Sequence, residues 1–314
     1  MGRQLPRFMR VGEIDVRGID LRRTFASHGL ASLPPMRVAP DAAWFEVTLP
    51  VTGRAPRTVR VIDSNGATAR VDCLGRTPAR SARADLLDGI AHVLDLGADL
   101  AAFYEVAGDD PDLRWVTSGA GRMIRSPTVF EDVVKTICTT NCSWGATRRM
   151  ISSLVEHLGE AASGAPPSGP LGRAFPTPEA MAGAGERFYE EVMRAGYRAR
   201  YLLLLARDVA EGRLELERLR PAAPAGLADD EVERILLDLP GVGPYAAAHI
   251  MMMLGRYSRI ILDSWTRPTY ARMAGRRAVS DAAIIERIAR YGPYAGLAFW
   301  LFVTRDWVAD SSPS

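Results

Sequence analysis

The most informative pattern in the chain lies at Leu236–Trp265, which reads LLDLPGVGPYAAAHIMMMLGRYSRIILDSW. Apolar residues at helical spacing stop at Leu239-Pro240, two glycines flank Val242 in a tight turn, and a second apolar helix is predicted from about Pro244 to Leu254. Glycine permits backbone dihedral angles closed to other residues and lets a ligand approach closely. The start of the second helix offers unpaired N–H groups to a phosphate. The pattern predicts a helix-hairpin-helix, a motif suited to gripping a DNA backbone without reading its sequence.

Asp263 lies near the end of this stretch, directly after the apolar run Ile260–Leu262. Two interpretations are open. An aspartate ahead of a new helix is commonly its N-cap. Alternatively, a partly desolvated carboxylate in a basic cleft could stabilise the positive charge that develops at a sugar C1′ as a base departs, and could orient or deprotonate water.

The residues that follow the hairpin are strongly basic. Between Gly255 and Ser280, six arginines stand against one acid, Asp263, which gives this stretch a net charge of +5. The six are Arg256, Arg259, Arg267, Arg272, Arg276 and Arg277. Such a stretch is suited to a phosphate surface, and Arg267 is an expected DNA contact within it.

The N-terminal part of the chain is predicted to be rich in strands. Alternating or β-branched residues indicate strands at Trp44–Leu49, Arg57–Ile62 and Ala69–Cys73, and Asp63–Gly66 is a turn signal that joins the last two as a hairpin. Beyond this hairpin the apolar spacing becomes helical and stays so for most of the remainder. We predict an α+β protein with an N-terminal antiparallel β-rich domain at residues 1–108 and a helical domain at residues 109–314.

Composition excludes several classes of protein. The 314 residues are 47% apolar, enough for substantial cores. No apolar run reaches the ~18–20 residues that span a bilayer. Residues 1–10 lack the long apolar segment of a signal peptide, and three cysteines cannot build a disulfide framework. We therefore expect a cytoplasmic, nucleoid-associated protein without membrane contact. The net charge of only +2 means that a nucleic-acid surface would be a local patch.

Leu239–Gly243 followed by Asp263 resembles the helix-hairpin-helix–aspartate signature of the DNA glycosylase superfamily, which includes endonuclease III-like, 3-methyladenine and 8-oxoguanine enzymes. Phe130–Asn141 (FEDVVKTICTTN) is similar to the helix and loop that carry the base-displacing wedge in this superfamily. Gly196–Tyr201 and Gly292–Gly296 are similar to segments of the 8-oxoguanine branch. The β-rich N-terminus suits the extra domain shared by that branch and the 3-methyladenine glycosylase II type. The resemblance therefore implies a helical bundle with an antiparallel β-domain.

The resemblance also implies roles for individual residues. Asp263 would be the catalytic carboxylate. Asn141 would fill the gap left by a flipped base, unless it is a loop-capping amide, and Arg198 would contact the orphaned partner base. The hairpin would anchor a DNA phosphate, with an alkali cation possible on its carbonyl oxygens. The hairpin residues concerned are Leu239, Gly241, Val242 and Gly243. The expected partner is double-stranded DNA with damaged bases, bound by a monomer.

Two departures from the superfamily pattern narrow the chemistry. Bifunctional members carry a lysine two residues after the second hairpin glycine, which forms a Schiff base and nicks the strand. This chain has Tyr245 there, and its single lysine, Lys135, lies on another predicted helix. We therefore expect water to remove the base, leaving an intact abasic strand and no lyase activity. Endonuclease III-like members often hold an iron–sulfur cluster on four cysteines, which three cysteines cannot supply, so no metal site is expected.

Aromatic residues are the candidates for a base pocket. The 8-oxoguanine enzymes place a glutamine where this chain has Phe299, which Trp300 follows. An aromatic there removes a donor and an acceptor and adds stacking surface, which favours positively charged alkylated purines. Trp144 and Tyr245 are expected to line the same pocket. The alternative for Phe299 and Trp300 is plain helix core, and His249, on the apolar hairpin helix, is expected to be a core residue with its hydrogen bonds satisfied.

The resulting hypothesis is a monofunctional DNA glycosylase of base-excision repair that hydrolyses the N-glycosidic bond of a flipped, alkylated purine. Two alternatives are an oxidised-purine glycosylase of the 8-oxoguanine type and a non-catalytic protein that binds DNA damage. The first predicts release of 8-oxoguanine with little release of methylated bases. The second predicts lesion binding that is indifferent to Asp263→Asn.

Overall fold

The computed structural model describes residues 8–221 and 226–308. A five-stranded antiparallel sheet in the order β1-β5-β4-β3-β2 forms the N-terminal part. The strands are β1 (Phe8–Asp15), β2 (Met36–Val38), β3 (Trp44–Val51), β4 (Arg54–Asp63) and β5 (Thr68–Leu74). The three strands expected from the sequence are present as β3, β4 and β5, each slightly longer than expected, and β1 and β2 extend the sheet at its two edges.

The expected hairpin between β4 and β5 is confirmed. Asp63 Oδ1 accepts the backbone N–H groups of Asn65 and Gly66 at 3.1 and 2.8 Å, and Gly66 takes a φ of +74°. A glycine adopts this left-handed angle without steric cost, which fixes the turn and hence the strand register.

The rest of the described chain is helical apart from loops and short 3-10 or π turns. The helices are α1 (Leu21–Phe25), α2 (Arg80–Val93), α3 (Ala101–Gly108), α4 (Val129–Ile137), α5 (Trp144–Leu158), α6 (Pro178–Gly183), α7 (Gly185–Arg187), α8 (Arg198–Ala210), α9 (Asp229–Leu237), α10 (Pro244–Met253), α11 (Thr266–Met273), α12 (Asp281–Ile288) and α13 (Ala295–Thr304). None of the helices in the described ranges is long and apolar enough to traverse a bilayer.

Helix α10 joins two helical cores. Ile250, Met251 and Met253 belong to a core built mainly from α4, α5, α8 and α9, whereas Ala248 and Met252 belong to a second core with α3, α12 and α13. Residues 246–253 of this helix are all buried, which explains why they are apolar apart from His249. The hairpin that precedes α10 is therefore held where the two cores meet.

The N-terminal sheet has a third core of its own, in which α2 covers the apolar face. Helix α3 lies within the expected N-terminal domain of residues 1–108, but its Phe103 and Ala107 pack into the second helical core. Hydrogen bonds also link the N-terminal part to the helical part: Arg23 donates to the carbonyl oxygens of Arg305 and Val308 at 3.0 and 3.2 Å.

Candidate active site

The hairpin has the geometry expected from its sequence. Helix α9 ends at Leu237, and Leu239 and Val242 turn inward, exposing only 8% and 6% of their surface. Gly241 takes a φ of +85°, and a Cβ placed on it would lie 2.8 Å from Tyr201 Cδ2. Glycine is therefore required there both by backbone conformation and by contact. Gly243, by contrast, is extended and faces open space.

Helix α10 begins at Pro244, the first helical position, where a missing N–H costs no hydrogen bond. No side chain caps this N-terminus. Both Gly241 and Gly243 line the cleft described below. The backbone N–H groups at the start of α10 thus have no side-chain partner in the described structure. They are available to bind an anion such as a phosphate.

Asp263 caps a helix with one carboxylate oxygen and leaves the other oxygen unpaired among the described residues. Its Oδ1 accepts the backbone N–H groups of Trp265 and Thr266 at 2.8 and 2.6 Å, and its own N–H donates to Thr266 Oγ1 at 2.8 Å. This reciprocal arrangement caps α11. Within the described ranges no donor pairs with Oδ2. One carboxylate oxygen therefore fixes the side chain, while the other is available in a half-buried position on the cleft wall.

Tyr245 lies on the first turn of α10, lines the same cleft as Asp263 and packs against both helical cores. Burial raises the pKa of its hydroxyl, and the negative charge of Asp263 adds to that shift, while hydrogen bonding to Thr139 works the other way. Lys135 is fully buried on α4, with Nζ 2.7 Å from Glu131 Oε1. The lysine is thus held in an internal ion pair and does not line the cleft.

The cleft between the hairpin, α13 and the start of α5 has a volume of about 1060 Å³. Six tryptophan or tyrosine side chains from the described residues line it: Trp144, Tyr197, Tyr245, Trp265, Trp300 and Trp307. Trp300 is fixed by donation from Nε1 to the carbonyl oxygen of Ser27 at 2.7 Å. Asp263 is the one charged side chain among the described lining residues.

The expectation that Phe299 lines this pocket is wrong. Its side chain is fully buried in the second helical core, stacked on Tyr270 with ring centroids 5.7 Å apart. Adjacent residues on a helix point about 100° apart, and here Trp300 faces the cleft while Phe299 faces the core. The core alternative therefore holds for Phe299, and Trp300 takes the cleft position.

Asn141 lies at the rim of the cleft, in the loop between α4 and α5. It has a φ of +46°, and its Nδ2 donates to the exposed Tyr197 hydroxyl at 3.3 Å. Arg198 does not reach outward as expected: only 6% of it is exposed, and its guanidinium donates to the carbonyl oxygens of Ala195 and Thr140. Arg198 therefore braces the loop that presents Asn141, and Tyr197 is the exposed side chain beside it.

His249 also lines the cleft. The expectation that its hydrogen bonds are satisfied within the core is wrong. His249 is 4% exposed, and neither ring nitrogen has a partner in the described structure. His28, from the N-terminal part of the chain, packs edge-on against it with ring centroids 6.0 Å apart, and Gly29 and Leu30 line the cleft beside it. The N-terminal part thus contributes to the cleft. These contacts could not be predicted from local sequence patterns, because the residues are more than 200 positions apart.

Most arginines of the basic stretch after the hairpin are paired with acidic side chains of the protein itself. Arg256 Nη1 lies 2.7 Å from Asp229 Oδ1, and Arg259 pairs with Asp230 and Glu233 at the start of α9. Arg267 is exposed but forms two contacts with Asp281, at 2.8 and 2.9 Å. The net charge counted along the sequence therefore overstates the positive surface, since acidic residues elsewhere neutralise part of it.

Comparison with known proteins gives one curated relative over nearly the whole chain. A probable N-glycosylase/DNA lyase of Methanothermobacter thermautotrophicus is 28% identical over 303 residues, which cover 90% of this chain and 91% of the relative. No family model matches the chain.

Solved structures share the fold. MBOgg1 in complex with a low-affinity DNA ligand has a TM-score of 0.72 at 21% identity, covering 97% of this chain and 99% of its own. The 3-methyladenine DNA glycosylase from Archaeoglobus fulgidus has 0.71 at 19%, covering 95% and 100%. The apo 8-oxoguanine glycosylase/lyase of Clostridium acetobutylicum has 0.69 at 21%, covering 96% and 99%. These likenesses show that the chain shares the fold of these DNA glycosylases, within which it carries the hairpin and the aspartate that follows it.

Proposed function

We propose that the protein is a DNA glycosylase that hydrolyses the N-glycosidic bond of a damaged base flipped out of double-stranded DNA. The observation that carries the proposal is the position of Asp263: one oxygen is fixed by the α11 cap, and the other is free beside an aromatic cleft of a volume that accommodates a base. The hairpin glycines stand at the same cleft, where a DNA backbone would lie.

The chain's own residues suffice for the chemical steps. As the bond between C1′ and the base nitrogen breaks, its electron pair leaves with the base and positive charge develops on the sugar. The free oxygen of Asp263 would stabilise that charge and orient a water, whose oxygen bonds to C1′ while its proton passes to the carboxylate. Aromatic side chains of the cleft would hold the base by stacking, and Asn141 would occupy the gap in the duplex.

We further propose that the reaction ends at the abasic site. The curated relative is named an N-glycosylase/DNA lyase, so this chain would differ from that name in its second step. Tyr245 carries a hydroxyl, which cannot form a Schiff base, and Lys135 is held by Glu131 away from the cleft. The carbonyl oxygens of the hairpin are ligands that a hard cation accepts, so the expected alkali cation remains part of this proposal.

For the substrate, we propose alkylated purines. The described lining combines six tryptophan or tyrosine rings with one formal charge, and that charge is negative. A methylated purine that carries positive charge stacks well on aromatic faces and is attracted to a carboxylate. A neutral oxidised purine would stack on the aromatic rings but would not be attracted to the carboxylate by charge. The charge of the cleft therefore favours the alkylated class over the oxidised one.

Mass spectrometry of free bases tests this proposal. Duplex DNA that has been both methylated and oxidised is incubated with wild type and with Asp263→Asn. Release of 3-methyladenine or 7-methylguanine that is lost in the variant is the expected result. Release of 8-oxoguanine instead would keep the mechanism and overturn the substrate class. If no base is released while both proteins bind damaged DNA equally, the protein is a damage-binding protein and the enzymatic proposal is wrong.

A further inference from the structure

His249 stands out among the buried polar groups of the described chain. It is 4% exposed, both ring nitrogens lack a partner, and its ring forms part of the cleft wall one helical turn beyond Tyr245. Leaving a buried polar group without a hydrogen bond is costly, so natural proteins rarely do so without a functional reason. The two unpartnered nitrogens therefore indicate that a hydrogen-bonding partner enters through the cleft.

The surroundings of His249 set the form in which it would meet that partner. Three rings surround it, those of His28, Tyr245 and Trp300, with centroids 6.0, 5.9 and 5.7 Å away. Burial lowers the pKa of His249 to about 3, and the nearby His28 adds to the shift. The imidazole is therefore neutral near pH 7, with one nitrogen as donor and the other as acceptor.

We propose that His249 is a specificity-determining residue that hydrogen-bonds to the edge of the flipped purine as a neutral imidazole. This inference rests on the proposed function and deepens it. A neutral imidazole can shift its proton between nitrogens, so the nitrogen that faces the base offers either a donor or an acceptor. It therefore fits adenine-type and guanine-type edges alike, and it adds no positive charge that would repel a cationic base. The predicted substrate range is accordingly methylated adenine and methylated guanine together.

The test measures excision and pocket-independent binding in parallel. Duplex DNA treated with dimethyl sulfate is the substrate, and a duplex with a tetrahydrofuran abasic analogue, which places no base in the cleft, is the binding probe. We compare wild type with His249→Phe, which keeps a ring but removes both nitrogens, with His249→Gln, and with a control, His157→Gln, whose histidine lies on α5 outside the cleft. His249→Phe is expected to release both methylated bases about tenfold more slowly, the size of one lost hydrogen bond.

The abasic duplex should bind equally well to wild type and His249→Phe, and His249→Gln should recover part of the excision rate. If wild type releases methylated bases and His249→Phe releases them at the same rate, this inference is wrong, while the proposed function stands. No release by wild type overturns the proposed function, and this inference with it.

Should His249→Phe fail to fold, nuclear magnetic resonance of nitrogen-15 histidine in Asp263→Asn decides instead. The ring signals of His249 should move on adding a duplex with a 7-methylguanine stabilised by a 2′-fluoro sugar, and not on adding the abasic duplex. Signals that respond identically to both duplexes contradict the proposal.

Discussion

At the scale of single residues, the structure resolves what the sequence left as alternatives. For Asp263 the structure shows the helix cap, which Oδ1 makes, and it leaves Oδ2 without a partner among the described residues, as the proposed catalytic role requires. Trp144, Tyr245 and Trp300 lie at the cleft as expected, whereas Phe299 does not. Helical spacing shows that neighbours face different ways but not which of them faces a cavity, because that choice depends on packing from distant segments.

Asp263→Asn should separate function from stability. An asparagine side chain still offers an oxygen to the N–H groups of Trp265 and Thr266, so the cap of α11 survives and the melting temperature should change little. Loss of the negative charge should slow base excision at least ~10²-fold. Thermal melting and single-turnover excision, measured on the same preparation, check both parts. A variant that melts far below wild type would show that the carboxylate is chiefly structural.

At the scale of elements, the hairpin was predictable because its signals are local. Glycines, the proline at the first helical position and the apolar spacing all lie within one short stretch, and α10 begins at Pro244 as expected. The partners of the basic stretch were not predictable. Arg256 and Arg259 pair with acidic residues of α9 some 26 to 29 positions earlier, and sequence alone does not show which charges meet.

The two hairpin glycines should respond differently to alanine. Gly241→Ala forces a left-handed angle on a residue with a Cβ and a clash with Tyr201, which should destabilise the fold by about 1–3 kcal/mol. Gly243→Ala meets open space and should leave stability near wild type, but its methyl group stands where a phosphate would approach, so DNA affinity should fall. Urea unfolding and DNA titration distinguish the pair. Equal unfolding midpoints for the two variants would contradict this assignment.

Arg256→Ala should weaken the fold without changing phosphate contacts. Its guanidinium donates to Leu219 O at 3.0 Å and pairs with Asp229 in a buried position, so its loss should cost about 2 kcal/mol of unfolding free energy. The salt dependence of DNA binding should stay as in wild type, since no phosphate contact is removed. Arg276→Ala, at an exposed arginine of the same stretch, is the matched control and should unfold like wild type. A reduced salt slope for Arg256→Ala would place that arginine on DNA instead.

At the scale of the whole molecule, the two helical cores meet at the cleft, and Gly29 and Leu30, which lie in the N-terminal part but outside its sheet, also line it. The α+β class and the central strands followed from local alternation and from the change to helical spacing of the apolar residues. The edge strand β1 pairs with β5 about 60 residues later, and β2 has three residues, so neither left a strong local signal. The contribution of His28, Gly29 and Leu30 to the cleft is tertiary and could not be predicted from the chain alone.

The buried neutral histidine predicts a specific dependence of stability on pH. An unfolded chain protonates His249 near pH 6.5, whereas in the folded state its pKa is lowered to about 3 by burial. The unfolded state therefore binds more protons as pH falls through 6.5, and the folded state loses stability down to about pH 3. Between pH 7 and pH 5, wild type should lose about 2 kcal/mol more than His249→Phe. Urea unfolding of both proteins at the two pH values measures the difference, and parallel losses would mean that His249 is protonated in the folded state.

The most direct test of the proposed hydrolysis asks what is left of the DNA strand. An end-labelled duplex methylated with dimethyl sulfate is incubated with wild type or Asp263→Asn, and half of each sample is then treated with mild alkali, which cuts only at abasic sites. In the wild-type sample, strand breaks are expected only in the half treated with alkali, and with Asp263→Asn none above background are expected. Breaks that form without alkali, together with a protein–DNA adduct trapped by borohydride, would contradict it.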